Sequence, residues 1–200
     1  SRNGTLTGSM LINVTDGMLG GALQGRQTNG QYLDFDNQQA WINIANLTWM
    51  AWVKTYDTAG SEGIISKGKT SQVPAADLTV RKIGSALVVE TGTTFPINIT
   101  NFFTVNEWAH FAVVFTDSVN ITFYKNGVEL NRSTNTSIAG SVDELVLGNF
   151  ESTSSTFNNP FNGLIDEVAI INRSLTATEV LDAYRLRGGT YRWFGNVTDG

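Results

Sequence analysis

Short runs in which β-branched or aromatic residues alternate with polar ones recur along the whole of this 200-residue chain, each bounded by Gly, Asn, Asp or Ser. A period of two sends successive side chains to opposite faces of an extended backbone, so these runs read as strands. They predict strands over 5–12, 32–35, 48–55, 63–66, 78–82, 86–91, 108–116, 120–125, 128–132, 145–149 and 164–172. Asn126-Gly127 joins two of them, and a two-residue type I′ turn needs positive φ twice, which these residues tolerate best. One stretch has helical spacing instead. Over 176–186, Thr176 is placed to cap, Glu179 follows three residues on, and Val180, Leu181 and Tyr184 form a one-sided stripe ending before Gly188-Gly189. Many short strands, frequent turns and one late helix predict an all-β fold, a two-sheet antiparallel sandwich with one short C-terminal helix.

The rest of the sequence narrows the partners. Lys plus Arg is 13 against 18 for Asp plus Glu, giving a net charge of −5, so nothing draws the chain to nucleic acid or an anionic membrane. No run approaches the roughly 18 consecutive apolar residues of a membrane helix. With no cysteine, disulfides and thiolate chemistry are excluded. The start, Ser1-Arg2-Asn3-Gly4, shows no signal sequence, so an exported protein is read here in mature form or as an excised fragment. Asn-x-Ser/Thr sequons occur at Asn3, Asn13, Asn46, Asn98, Asn120, Asn131, Asn135, Asn172 and Asn196. With 19 Asn and 38 Ser plus Thr, chance predicts about four such sites against the nine present. That excess predicts an N-glycosylated protein, extracellular or at the cell surface.

Eight ordered segments resemble those of laminin-G-like domains of the concanavalin-A-like lectin/glucanase superfamily. They are Gly20-Gly21-Ala22-Leu23, Tyr32-Leu33-Asp34-Phe35, Leu47 to Lys54, Ile64-Ile65-Ser66-Lys67, Glu107 to Val114, Phe123 to Gly127, Leu145 to Gly148 and Phe161 to Val168. The resemblance implies a two-sheet jelly roll over 1–188. It also implies a Ca²⁺ site built on Asp166, with oxygens near Asn3 and Thr5. Tyr191 to Gly200 resembles the family's opening strand and entry turn, so 189–200 reads as a C-terminal strand segment that is either a tail or permuted strand of its own domain or completes a neighbouring domain, as a tandem repeat or by strand donation. Asp199 would then join the calcium ligands, and Tyr191, Trp193 and Val197 would form the self-assembly face, binding a second copy of the chain.

Other motifs carry less. Gly63 to Thr70 fits the phosphate-loop pattern by letter, but its middle is strand-like and no helical stripe follows. Glycoside hydrolysis needs a carboxylate pair, and the Glu-x-Asp-x-Glu run of the related glucanases is absent; Asp34 and Asp36 share a face, while Asp143-Glu144 and Asp166-Glu167 are adjacent pairs. His110, the one histidine, stands in an apolar strand beside Trp108 and Phe111 and reads as a packed, hydrogen-bonded imidazole. Trp49, Trp52 and Trp108 read as core, leaving Trp41 as the candidate platform for carbohydrate. The sequence thus predicts a non-enzymatic, glycosylated structural or adhesive unit assembling head to tail as a filament or tandem array, with a carbohydrate-binding lectin-like module as the alternative.

Overall fold

A computed structural model describes residues 4–28, 30–35, 45–67, 78–91, 94–117, 120–134, 145–150 and 157–186. Along the chain run β1 (Thr5–Thr7), β2 (Leu11–Gly17), β3 (Gly20–Arg26), β4 (Tyr32–Asp34), β5 (Leu47–Thr55), β6 (Ser61–Lys67) and β7 (Leu78–Ile83). Then come β8 (Ala86–Thr91), β9 (Thr94–Ile99), β10 (Trp108–Thr116), β11 (Asn120–Lys125), β12 (Val128–Ser133), β13 (Leu145–Leu147), β14 (Asn162–Ile171) and the helix α1 (Ala177–Arg185). The strands form two antiparallel seven-stranded sheets, ordered β1-β4-β13-β6-β7-β8-β9 and β12-β11-β10-β5-β14-β3-β2. This is the expected jelly-roll sandwich.

Alternation in β5 shows how sequence makes the layers. Leu47, Trp49, Ala51 and Val53 enter the core between the sheets, where they meet Phe111, Phe115, Phe123 and Phe161. Met50, on the other face, packs with Ala112, Val114, Tyr124, Leu175 and Val180 beneath α1. Trp49 and Trp52 are therefore both buried, on opposite faces. Trp108 departs from expectation: it is half-buried, with the Lys54 ammonium 5.4 Å above its ring. Helix α1 begins as predicted, since Thr176 accepts from the Glu179 N–H and the Glu179 carboxylate accepts from the Thr176 N–H. Asn126 and Gly127 take φ of 51° and 78°, and Lys125 pairs with Val128 across the turn.

Three elements differ from the sequence reading. The run 5–12 divides into β1 and β2, which belong to different sheets, and the chain crosses between them at Gly8, where φ is 66°. β3 went unpredicted because three of its seven residues are glycine. Gly25 is needed there: a Cβ would strike the carbonyl of Phe161, just before neighbouring β14. β9 contains Pro96, a strand breaker tolerated here because β9 is an edge.

Candidate functional site

The edge formed by β2 is the surface least like an ordinary protein exterior. Leu11, Ile12 and Val14 are 42%, 53% and 75% exposed, and Leu19, just past the turn into β3, is 37% exposed. With Leu6 of β1, half of the ten large exposed apolar side chains of the described residues fall within residues 6–19. Among the described residues β2 is paired on one side only, to β3, with Leu11 opposite Gln24, Ile12 opposite Leu23 and Asn13 opposite Ala22. Sheet edges are ordinarily blunted by charge, proline or a bulge. Here Asp16 is the one charged residue of the strand, and a bulge between Asn13 and Gly17 ends regular pairing. The bulge is held by Asn13, whose Oδ1 accepts from the Thr15 and Asp16 N–H groups and whose Nδ2 donates to Asp16 Oδ2.

Asp166 positions this hairpin. Its buried carboxylate accepts from Met18 N at 2.6 Å, from Leu19 N at 3.1 Å and from Glu167 N at 2.8 Å, so the β2–β3 turn is clamped to β14. Hydrogen bonds to a charged acceptor are worth about 1.5–3 kcal/mol each, less what a substitute retains. Asp166→Asn keeps one acceptor and should lower stability by about 2 kcal/mol, with faster amide exchange at Met18 and Leu19; unchanged exchange there would contradict the clamp.

The expected calcium ligands are not gathered by the described residues. Asp166 is in the second sheet and Thr5 in an edge strand of the first, while Asn3 and Asp199 lie outside the described residues. Both Asp166 oxygens already face N–H donors, a poor setting for a cation, and no group of three or more His, Asp or Glu is placed to hold a metal among the described residues. These residues do not by themselves fit the ion.

Two buried ionic clusters lie on the first sheet. Lys82, completely enclosed, donates to Asp57 Oδ1 at 2.8 Å and to the Ala59 carbonyl at 2.6 Å, and pairs with Glu62 Oε1 at 2.9 Å. Asn162 ties the two acids together, donating its N–H to Glu62 Oε2 and its Nδ2 to Asp57 Oδ2. Burial pushes Glu62 above the usual carboxylate range despite those contacts. Burial also pushes Asp57 up, but there the hydrogen bonds from Lys82, Asn162 and Ala59 win and hold it low, in keeping with its greater exposure. On the face away from the core, Arg81 pairs with Glu90 at 3.0 Å and lies over the Phe150 ring. Burial raises the Glu90 carboxyl and lowers the Arg81 guanidinium.

His110 lies beneath α1, its ring 5.3 Å from Trp52 and 5.9 Å from Tyr184. It is packed as expected, but its Nδ1 has no hydrogen-bond partner, and burial lowers its pKa to about 4. A neutral imidazole this enclosed reaches no substrate. The phosphate-loop match also becomes structural, because Gly63–Lys67 belongs to β6 and a Cβ on Gly63 would strike the Asn149 backbone.

Of the sequons, Asn98 and Asn172 are exposed, and Asn13, Asn46, Asn120 and Asn131 are half-buried. Asn46 Oδ1 accepts from Asp117 N and Ser174 Oγ. Asn135 and Asn196, the carbohydrate candidate Trp41, and Tyr191, Trp193 and Val197 fall outside the described residues. Sequence reasoning missed the β2 edge, although Leu11-Ile12-Asn13-Val14 carries a signal: apolar residues at both parities, which no strand with one buried face requires.

Comparison with known proteins fixes the family. A search of curated protein sequences finds no match. Among solved structures, domain 4 of AbnA, an extracellular GH43 arabinanase from Geobacillus stearothermophilus, in complex with arabinotriose, superposes with a TM-score of 0.70 at 19% identity, over 90% of this chain and 87% of that one. The binding domain of Paraclostridial Mosquitocidal Protein 1 gives 0.69 at 13% identity over 92% of this chain, which spans about half of that domain's length, at 47%. A native heptameric SAP-like pentraxin from Limulus polyphemus gives 0.55 at 16% identity, over 76% of this chain and 77% of that one. At such identities these likenesses establish the fold alone. The sequence itself matches a laminin-G family model, described as concanavalin A-like lectin/glucanases superfamily, over residues 27–181. The chain belongs to the laminin-G-like branch of the concanavalin A-like lectin/glucanase superfamily.

Proposed function

We propose that this domain is a non-enzymatic structural or adhesive unit of an extracellular assembly, joined head to tail by a strand that passes from one copy to the next. The observation that carries this reading is the apolar, singly paired edge of β2. A strand laid along it gains main-chain hydrogen bonds and covers Ile12 and Val14, which otherwise stand in water. The segment 189–200 has the matching chemistry, with Tyr191, Trp193 and Val197 spaced so that one face of an extended chain is apolar. Because donor segment and acceptor edge are different surfaces, the contact is heterologous and propagates unless rotation closes a ring.

The reading predicts that deleting 190–200, or introducing Ile12→Lys with Val14→Lys, abolishes assembly and leaves monomers, measured by light scattering and electron microscopy. Assemblies unchanged in both variants would overturn it. A second reading, a carbohydrate-binding module, is favoured by the arabinanase domain solved with arabinotriose. It predicts saturable binding on a glycan array that survives the β2 substitutions; an array without hits removes it.

A further inference from the structure

The two sides of the sandwich are chemically unequal. At one side lie β1, which ends the first sheet, and β2, which ends the second; at the other, β9 ends the first sheet and β12 ends the second, and these two edge strands lie against each other. β12 also presents apolar surface, with Val128 and Leu130 exposed. It carries the charged Glu129 and Arg132 and a bulge at Leu130, and β9 carries Pro96, so both edges are partly blunted by their own residues. Both strands also carry sequons, Asn98 on β9 and Asn131 on β12, with Asn120 on the adjoining β11.

The side-chain amides sort the same way. On β2, Asn13 Nδ2, the atom a sugar would be joined to, donates to Asp16 Oδ2 at 2.9 Å, and its Oδ1 accepts from Thr15 Oγ1 at 3.1 Å, so the sequon's own hydroxyl is engaged. Asn98 is exposed, and among the described residues no side-chain hydrogen bond holds its carboxamide. Asn131 Oδ1 accepts from Arg132 N at 2.7 Å, and among the described residues nothing engages its Nδ2.

We infer that N-linked glycans on Asn98 and Asn131 close the β9/β12 side of the sandwich to strand pairing, leaving the β1/β2 side as the accepting side. The inference rests on the strand-passing reading above. The modification is a group transfer from a lipid-phosphate-linked sugar: the N–C1 bond forms between Asn Nδ2 and the sugar, the C1–O bond to phosphate breaks with its electron pair going to the phosphate, and the Nδ2 proton passes to a base of the transferase. A hydrated, branched chain on an edge strand excludes a neighbouring backbone as charge or proline does elsewhere. Growth is then confined to one side of the sandwich, because each copy offers one open side and one donor segment.

The test uses the full chain made in a host with N-glycosylation machinery, as wild type, as Asn98→Gln with Asn131→Gln, and as Thr100→Ala with Ser133→Ala, which removes the same sequons and keeps both asparagines. Glycopeptide mass spectrometry should find Asn98 and Asn131 occupied and Asn13 bare. Both variants should associate side by side, seen as thickened bundles and at least a several-fold rise in light scattering at equal concentration. Bare Asn98 and Asn131 in the wild type, or variants with unchanged particle width and scattering, would overturn the inference. Ile12→Lys with Val14→Lys separates it from the reading beneath: head-to-tail assembly surviving that change refutes strand passing at β2, whereas lateral thickening on loss of the sequons reports on the glycans alone.

Discussion

Lys82→Met should lower the stability of the domain by about 3–5 kcal/mol at neutral pH, the usual consequence of removing one member of an enclosed ion pair. Methionine fills the space, so the loss is electrostatic: Glu62, almost fully buried, and Asp57 are left facing each other without the ammonium that lies within 2.9 Å of both. The sign of the pH dependence identifies the cause. Glu62 is already held above the ordinary carboxylate range, and without Lys82 its folded-state pKa rises further. A folded pKa above the unfolded one means that the folded state gains as pH falls through the folded value, so the deficit should shrink on acidification. Glu62→Gln in the Lys82→Met background should recover part of the loss. A single variant melting with the wild type, or a deficit independent of pH, would show that the cluster is not coupled to folding.

Acidification should test the other enclosed group. His110 has a folded pKa of about 4 against 6.5 for a free imidazole, so above pH 6.5 it is neutral in both states and the full stability is present. Between pH 6.5 and 4 the unfolded chain takes up a proton that the folded domain refuses, and the contribution lost by pH 4 is about 3 kcal/mol. The raised carboxyls of Glu62 and Glu90 act in the opposite direction, so the measurement is a difference. Denaturant unfolding of wild type and His110→Leu from pH 7 to pH 4 should give curves whose separation changes by that amount. The ring packs against Trp52 and Tyr184, which also stack on each other, so the released structure should include α1, read as tryptophan fluorescence changing before global unfolding. Parallel pH profiles for the two proteins would exclude the imidazole.

What the sequence revealed follows from which interactions are local. Asn126-Gly127 and the Thr176/Glu179 capping box are decided within a few residues, and both turn as the residues dictate. β5 and β10 were legible as runs rich in β-branched and aromatic residues, and nearly every position of both is buried, one face in the core between the sheets and the other toward α1. β3 was hidden by its three glycines, of which Gly25 answers to the Phe161 carbonyl far along the chain, a demand invisible in local propensity. The site divides along the same line. Asp166 stood out through its family segment, but its engagement with Met18 and Leu19 spans 148 and 147 positions. Lys82, Asp57 and Glu62 are scattered charges in sequence and become one cluster only after β6 and β7 pair and Asn162 arrives from β14.

The clamp at Asp166 also sets a timetable. β2 rests on β3, β3 rests on β14, and the carboxylate that grips the turn belongs to β14 as well. A two-stranded hairpin alone in water is marginally stable. During synthesis, therefore, the β2 edge has no firm backing until residues 162–171 have emerged, nearly the whole length of the domain after the edge itself. Under the strand-passing reading proposed above, an edge that matures last would give an incoming strand little to grip on a half-made neighbour, and the order of chain growth would guard against joining units before they are folded.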